Sequence, residues 1–187
     1  HLARQLENTE GIDVLPVNRV LAAMQALQIP RVTDPCEAVK LRRTLGVDGL
    51  IVGTITSYDP YDPPKLGLAV ELYLAASAPT GVRVLDVRRL SSAPTDRLSR
   101  PSVARRKTRP ASTVSGFYDA AEPALRKRLW RYAWHRGVEQ DHPANAQLYR
   151  ISMDLYSEFV TRAVTTRLLH LEDQRMWRRS AAADPAS

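Results

Sequence analysis

From Leu66 to Leu74 the chain alternates without a slip: Leu66, Leu68, Val70, Leu72 and Leu74 hold every second position, with Gly67, Ala69, Glu71 and Tyr73 between them. Side chains of a strand point alternately to its two faces, so this period of two predicts a strand with one face in the core. Upstream, DGLIVGTI at 48–55 is almost continuously apolar and predicts a central strand covered on both faces. The segment YDPYDPPK joins the two, so 45–75 reads as a hairpin around which the other elements are organised. VRVLDVRRL at 82–90 predicts a third strand of this meander, polar enough to lie near an edge.

Helical periodicity frames the hairpin. Residues 2–7 read as the end of an amphipathic helix, GIDVLP at 11–16 as a short strand closed by Pro16, and Val20, Leu21, Met24 and Leu27 as a helix capped by Asn18. Asp34, Pro35 and Glu37 form a strong helix start, with a capping aspartate, a proline suited to the first turn and an acid placed to complete a capping box. That helix places Ala38, Leu41 and Leu45 inward and ends at Gly46. Cys36, in its first turn, is expected to be half-buried.

Periodicity fails over 91–115, where prolines, serines and threonines surround Arg97, Arg100, Arg105, Arg106, Lys107 and Arg109. Such a segment buries too little to offset its ordering entropy and is expected to be a flexible basic insertion. Helix resumes near Tyr118, with Ala121, Leu125, Leu129 and Tyr132 on one face and Trp130 and Trp134 expected to mark packing against the sheet or a neighbouring helix. The longest helix is expected from Ala144 onward. One stripe of it carries Leu148, Ile151, Leu155 and Phe159; another carries Met153, Tyr156, Val160, Val164, Leu168 and Leu171.

The predicted fold is α/β: a mixed sheet including a three-strand meander with helices packed against it, plus a C-terminal pair of long helices. The expected organisation is an α/β core over 1–90, the basic insertion over 91–115, a helical region over 116–180 packing on the core or on a partner, and a frayed tail over 181–187.

A chain of 187 residues, 44% hydrophobic and 25% charged, suffices for one core of ordinary size. It has no apolar run long enough to span a bilayer as a helix. The opening HLARQLENTEG already reads as helix and begins in mid-pattern, as a fragment of a longer product would, so any export address is expected upstream. The net charge of +7 is concentrated in the middle, where residues 83–136 carry 14 Lys and Arg against 4 Asp and Glu.

Catalytic and metal signatures are missing. The four histidines are scattered and Cys36 is the single cysteine, so neither HExxH nor CxxC occurs; no GxSxG, GxGxxG or GKS/T is present either. No catalytic residue, metal or cofactor is expected. Asp59 and Asp62 sit before prolines and are read as turn formers. The turn is more promising as a surface: Tyr58 and Tyr61 sit on a loop stiffened by three prolines, so Tyr58, Asp59, Tyr61, Asp62 and Lys65 are candidate protein contacts.

The helix leading into Leu45, Gly46, Asp48 and Gly53 of the apolar strand resembles a family of bacterial envelope lipoproteins. Its members carry a domain like the N-terminal domain of TolB or the core of the curli secretion lipoprotein. The TGVRVLD segment and FYDAAEPAL resemble that family's third strand and following helix start, and PANAQLYRISMDLYSEF resembles a late segment of some of its members. The likeness covers roughly 2–90 and, more loosely, 116–171. It implies a non-enzymatic accessory or scaffold domain on the periplasmic side of the cell envelope, anchored through an N-terminal segment upstream and partnered by other envelope proteins or by itself. The alternative is a nucleic-acid- or polyanion-binding module using Arg97, Arg100, Arg105, Arg106, Lys107 and Arg109. That segment has no interleaved aromatics to stack on bases, so anionic lipid or another polyanion is expected before nucleic acid.

Overall fold

The computed structural model describes residues 1–75, 109–136 and 144–183. The expected strand at 82–90 and most of the basic insertion lie outside these. Three helices open the chain: α1 (Leu2–Glu7), α2 (Val17–Ala26) and α3 (Pro35–Leu45). The start of α3 is built as its residues dictate. Asp34 Oδ1 accepts from the Cys36 amide at 2.7 Å, and Glu37 Oε2 accepts from the Thr33 and Asp34 amides at 2.9 and 3.2 Å. Gly46, at φ +68°, ends the helix in the left-handed conformation that glycine adopts without a steric penalty.

Three local expectations fail here. Residues 12–16 form no strand: Ile12 and Val14 are half-buried around exposed Asp13, which mimics alternation, but the segment has no ladder partner. Asn18 lies inside α2, whose cap position is Pro16, and accepts only from the Arg19 amide. Cys36 is exposed, because the first turn of α3 stands clear of the sheet.

The sheet is antiparallel, in the order β1 (Gly49–Asp59), β2 (Lys65–Leu74), β3 (Ser112–Asp119). β1 and β2 pair from Gly49↔Leu74 to Asp59↔Lys65, with a bulge between Ile55 and Ser57. β2 is central. β1, expected to be covered on both faces, is instead an edge strand among the described residues: Leu50 is buried, whereas Gly53, Thr54, Ile55 and Thr56 are exposed. The third described strand, β3, comes from STVSGFYD, where the end of the basic insertion and a helix start are expected. Val114 and Tyr118 pair with Val70 and Leu66 and fall on the same face, where both are buried.

Beyond β3 come α4 (Pro123–Arg136), α5 (Ala144–Ile151) and α6 (Met153–Ala183). The expected continuous helix from Ala144 is broken at Ser152, whose Oγ accepts from the Leu155 amide at 3.4 Å and caps α6. With that break, Leu148 and Ile151 become exposed instead of extending the apolar stripe. Tyr156, Val160, Val164 and Leu168 recur every four residues along α6 and are all 0% exposed. Burial of such side chains contributes about 1.5–3 kcal/mol each, which makes this stripe the main attachment of α6.

Two clusters result, one on each side of the sheet. Leu66, Val70, Leu72, Val114 and Tyr118 pack with the inner faces of α4 and α6. Tyr73 and Leu50, on the opposite face, pack with Ala38, Val39 and Leu41 of α3, flanked by α2. Trp130 and Trp134 join neither cluster. They are 49% and 52% exposed and lie against each other at 5.3 Å, because α4 buries Leu125, Leu129 and Ala133 instead.

Candidate interaction surface at the hairpin tip

The β1–β2 connection brings Tyr58, Asp59, Tyr61, Asp62 and Lys65 together and divides them into two kinds. Each charged residue has a partner, although Asp62 stays exposed. Asp59 Oδ1 accepts from the Tyr61 amide at 3.2 Å, an Asx turn that reverses the chain after β1. Asp62 Oδ1 pairs with Arg150 Nη2 of α5 at 2.9 Å. Lys65 Nζ reaches Asp119 Oδ2, at the end of β3, at 3.4 Å.

The base of the turn is tied in as well. Pro64 is fully buried, and its carbonyl accepts from the Ala120 amide at 3.0 Å. The Asp62–Pro63 peptide is cis. Asp119 also accepts from the Ala121 amide at 2.8 Å, so the groups that start α4 hold the root of the hairpin tip.

The tyrosines are exposed and, among the described residues, without a side-chain partner. Tyr58 is 58% exposed and Tyr61 80%. Tyr58 pairs with Leu66 and Ile55 with Leu68, two residues apart on β2, so Ile55 and Tyr58 share one face at the outer edge of β1. Ile55 is 62% exposed. Ile55 and Tyr58 thus make an exposed apolar edge on the strand that leads into the turn carrying Tyr61.

Of the candidate polyanion contacts, Arg97, Arg100, Arg105, Arg106 and Lys107 lie outside the described residues, and Arg109 is exposed just before β3. Among the described residues, no three His, Cys, Asp or Glu side chains are grouped to hold a metal ion. His1 lies against Asp154 at 2.8 Å and His170 against Gln174 at 2.9 Å. The Asp34 carboxylate, by hydrogen bond first and by charge second, raises the Cys36 thiol above its ordinary range, which disfavours the reactive thiolate.

One gathering of charge bears no motif in the sequence. Arg128 of α4 and Arg162, Arg167 and His170 of α6 line a single groove. A partial signal existed in Arg162, Thr166 and His170, which fall at intervals of four along one helix face. Their meeting with Arg128, however, depends on how α4 and α6 pack. Compared with protein-family models, with curated proteins and with solved structures, the chain matches none.

Proposed function

We propose that this chain is a non-enzymatic accessory or scaffold domain of a cell-envelope lipoprotein, acting through protein contacts at the hairpin tip. The observation that carries the reading is the division of labour in the turn. Asp59, Asp62 and Lys65 are committed to holding it, while Tyr58 and Tyr61 are presented outward. A partner that meets two tyrosines on a held loop loses little conformational entropy on binding, and tyrosine joins a large apolar body to a polar tip. Among the described residues the edge of β1, with exposed Ile55, has no strand on its outer side and offers backbone groups beside them for strand addition.

The envelope placement rests on the resemblance at Leu45, Gly46, Asp48 and Gly53. No helix among the described residues is long and apolar enough to cross a membrane. Anchorage on this reading is a lipid on a segment upstream of His1.

Two measurements test the proposal in cells that express the intact gene product. A photo-crosslinking residue in place of Tyr61 is expected to trap one defined envelope protein or a second copy of the chain, and Tyr58→Ala is expected to abolish that product. Fractionation with lipid labelling is expected to place the product in the membrane fraction with a covalent lipid. An unlabelled cytosolic product, or a crosslink indifferent to Tyr58→Ala, overturns the reading.

A second reading, a polyanion-binding module, is favoured by the charge balance of residues 83–136. It predicts retention on a polyanion column that falls steeply with salt and disappears when 97–109 is deleted.

A further inference from the structure

We propose that the groove between α4 and α6 is a binding site for a phosphate monoester group, clamped by Arg128, Arg162 and Arg167. The groove is far in sequence from the tyrosine turn and owes nothing to the reading of that turn. It is an open groove of about 400 Å³ whose arginines are exposed.

Among the described residues the charge in this groove is unspent. None of the three guanidiniums has a carboxylate partner among the described residues. The two buried acids of α6 are already engaged, Glu158 by Arg136 at 2.5 Å and the Tyr132 hydroxyl at 3.3 Å, and Glu172 by Arg175 and the Ser112 hydroxyl. Arg162 is held in place, with its guanidinium over the Tyr132 ring at 5.5 Å. Arg128 and Arg167 act on one point from different helices: both draw the Tyr118 phenol down against the larger upward push of burial. Thr166 adds a hydroxyl, while Phe159 and Ala163 supply an apolar wall; one ring nitrogen of His170 is already paired with Gln174.

Three guanidiniums offer more donors and more charge than a carboxylate or a phosphodiester can use. A phosphate monoester, with three terminal oxygens and a charge approaching −2, matches them. Nucleic acid fits less well. Phe159 is 4% exposed, and Tyr132 already has Arg136 and Arg162 against its ring at 5.6 and 5.5 Å, so the groove lacks a platform for stacking bases. The monoester could be carried by a soluble metabolite or by a lipid headgroup, and the recognising chemistry is the same.

Titration calorimetry on the 187-residue chain tests the site, with phenyl phosphate as the soluble probe. Vesicles containing phosphatidic acid serve as the lipid monoester, with phosphatidylglycerol vesicles and a single-stranded oligonucleotide as diester controls. The expected result is one site for phenyl phosphate or for phosphatidic acid, weakened about tenfold or more by each of Arg128→Gln, Arg162→Gln and Arg167→Gln. Arg126→Gln, an exposed α4 change outside the groove, is expected to leave the affinity within about twofold. Binding of phenyl phosphate identifies a soluble ligand; binding confined to phosphatidic acid identifies a lipid headgroup. Failure to bind either monoester overturns the site. So does equal binding to both diester controls that no single groove variant weakens, which is the behaviour of a diffuse basic surface.

Discussion

Arg136 donates to Glu158 at 2.5 Å across the junction of α4 and α6, with the guanidinium 39% exposed and the carboxylate 8%. The pair is asymmetric. Replacing Arg136 with methionine strips the charge partner from a carboxylate that water barely reaches and leaves it only the Tyr132 hydroxyl. Such a change is expected to cost about 2–4 kcal/mol, reduced toward the lower figure by the exposure of the arginine. Glu158→Gln keeps an acceptor for both donors and is expected to cost less, about 1–2 kcal/mol. Urea titrations decide, through a lowered midpoint at unchanged slope. A larger loss for Glu158→Gln than for Arg136→Met contradicts this account.

Tyr156 carries the opposite imbalance. The residue is 0% exposed, its hydroxyl has no hydrogen-bond partner among the described residues, and burial pushes its phenol far above the ordinary value. Leaving such a group unpaired costs about 1–3 kcal/mol, so Tyr156→Phe is expected to raise the stability by about 1 kcal/mol. A rise in thermal midpoint shows it. A fall would mean that the hydroxyl is satisfied after all.

Gly67 is required by the bulge in β1. A Cβ built there lies 2.9 Å from the Ser57 backbone nitrogen and also meets the Thr56 hydroxyl. The hydroxyl can turn away, but the backbone cannot. Gly67→Ala is therefore expected to destabilise the hairpin by about 1–3 kcal/mol, as overpacking does, and to speed amide exchange at Ser57 and Tyr58 first.

Stability is expected to form a plateau between about pH 5 and pH 10 with a fall on each side. Amides of Thr33 and then Asp34 hold the Glu37 carboxyl below its ordinary 4.5. The associated stability is present above that value and is lost as the pH falls. On the alkaline side, burial first and the Glu158 charge second push the Tyr132 phenol from 10.0 up to about 12, against the pull of Arg136. That contribution is complete below pH 10 and is lost as the pH rises through about 12, because the folded state keeps the proton longer than the unfolded chain. Burial also raises the phenols of Tyr73 and Tyr149. Denaturant midpoints measured from pH 3 to pH 12 give both limbs. Glu37→Gln is expected to flatten the acid limb and Tyr132→Phe to flatten part of the alkaline one.

What could be read in advance was whatever a few neighbouring residues decide. Asp34, Pro35, Glu37 and Gly46 bound α3 because a cap and a left-handed stop are made by atoms within one turn. The alternation from Leu66 to Leu74 identified β2 because its face periodicity is the signal itself. The five residues of the hairpin tip were legible as a group because they lie within eight positions. That Asp62 and Lys65 bind Arg150 and Asp119 was not, since those partners lie far along the chain.

The residues alone determined α3, the β1–β2 hairpin and the apolar stripe of α6, all products of local geometry and local periodicity. Tertiary structure decided the rest. Ser112–Asp119 has too few apolar residues to announce a strand and becomes one because Val114 and Tyr118 gain a buried face beside Val70 and Leu66. Among the described residues β1 lies at an edge, because β3 pairs with β2 and not with it. Arg128 meets Arg162 and Arg167 only when α4 and α6 are laid side by side on the sheet. Such encounters depend on which surfaces exclude water together, and no window of sequence contains both partners.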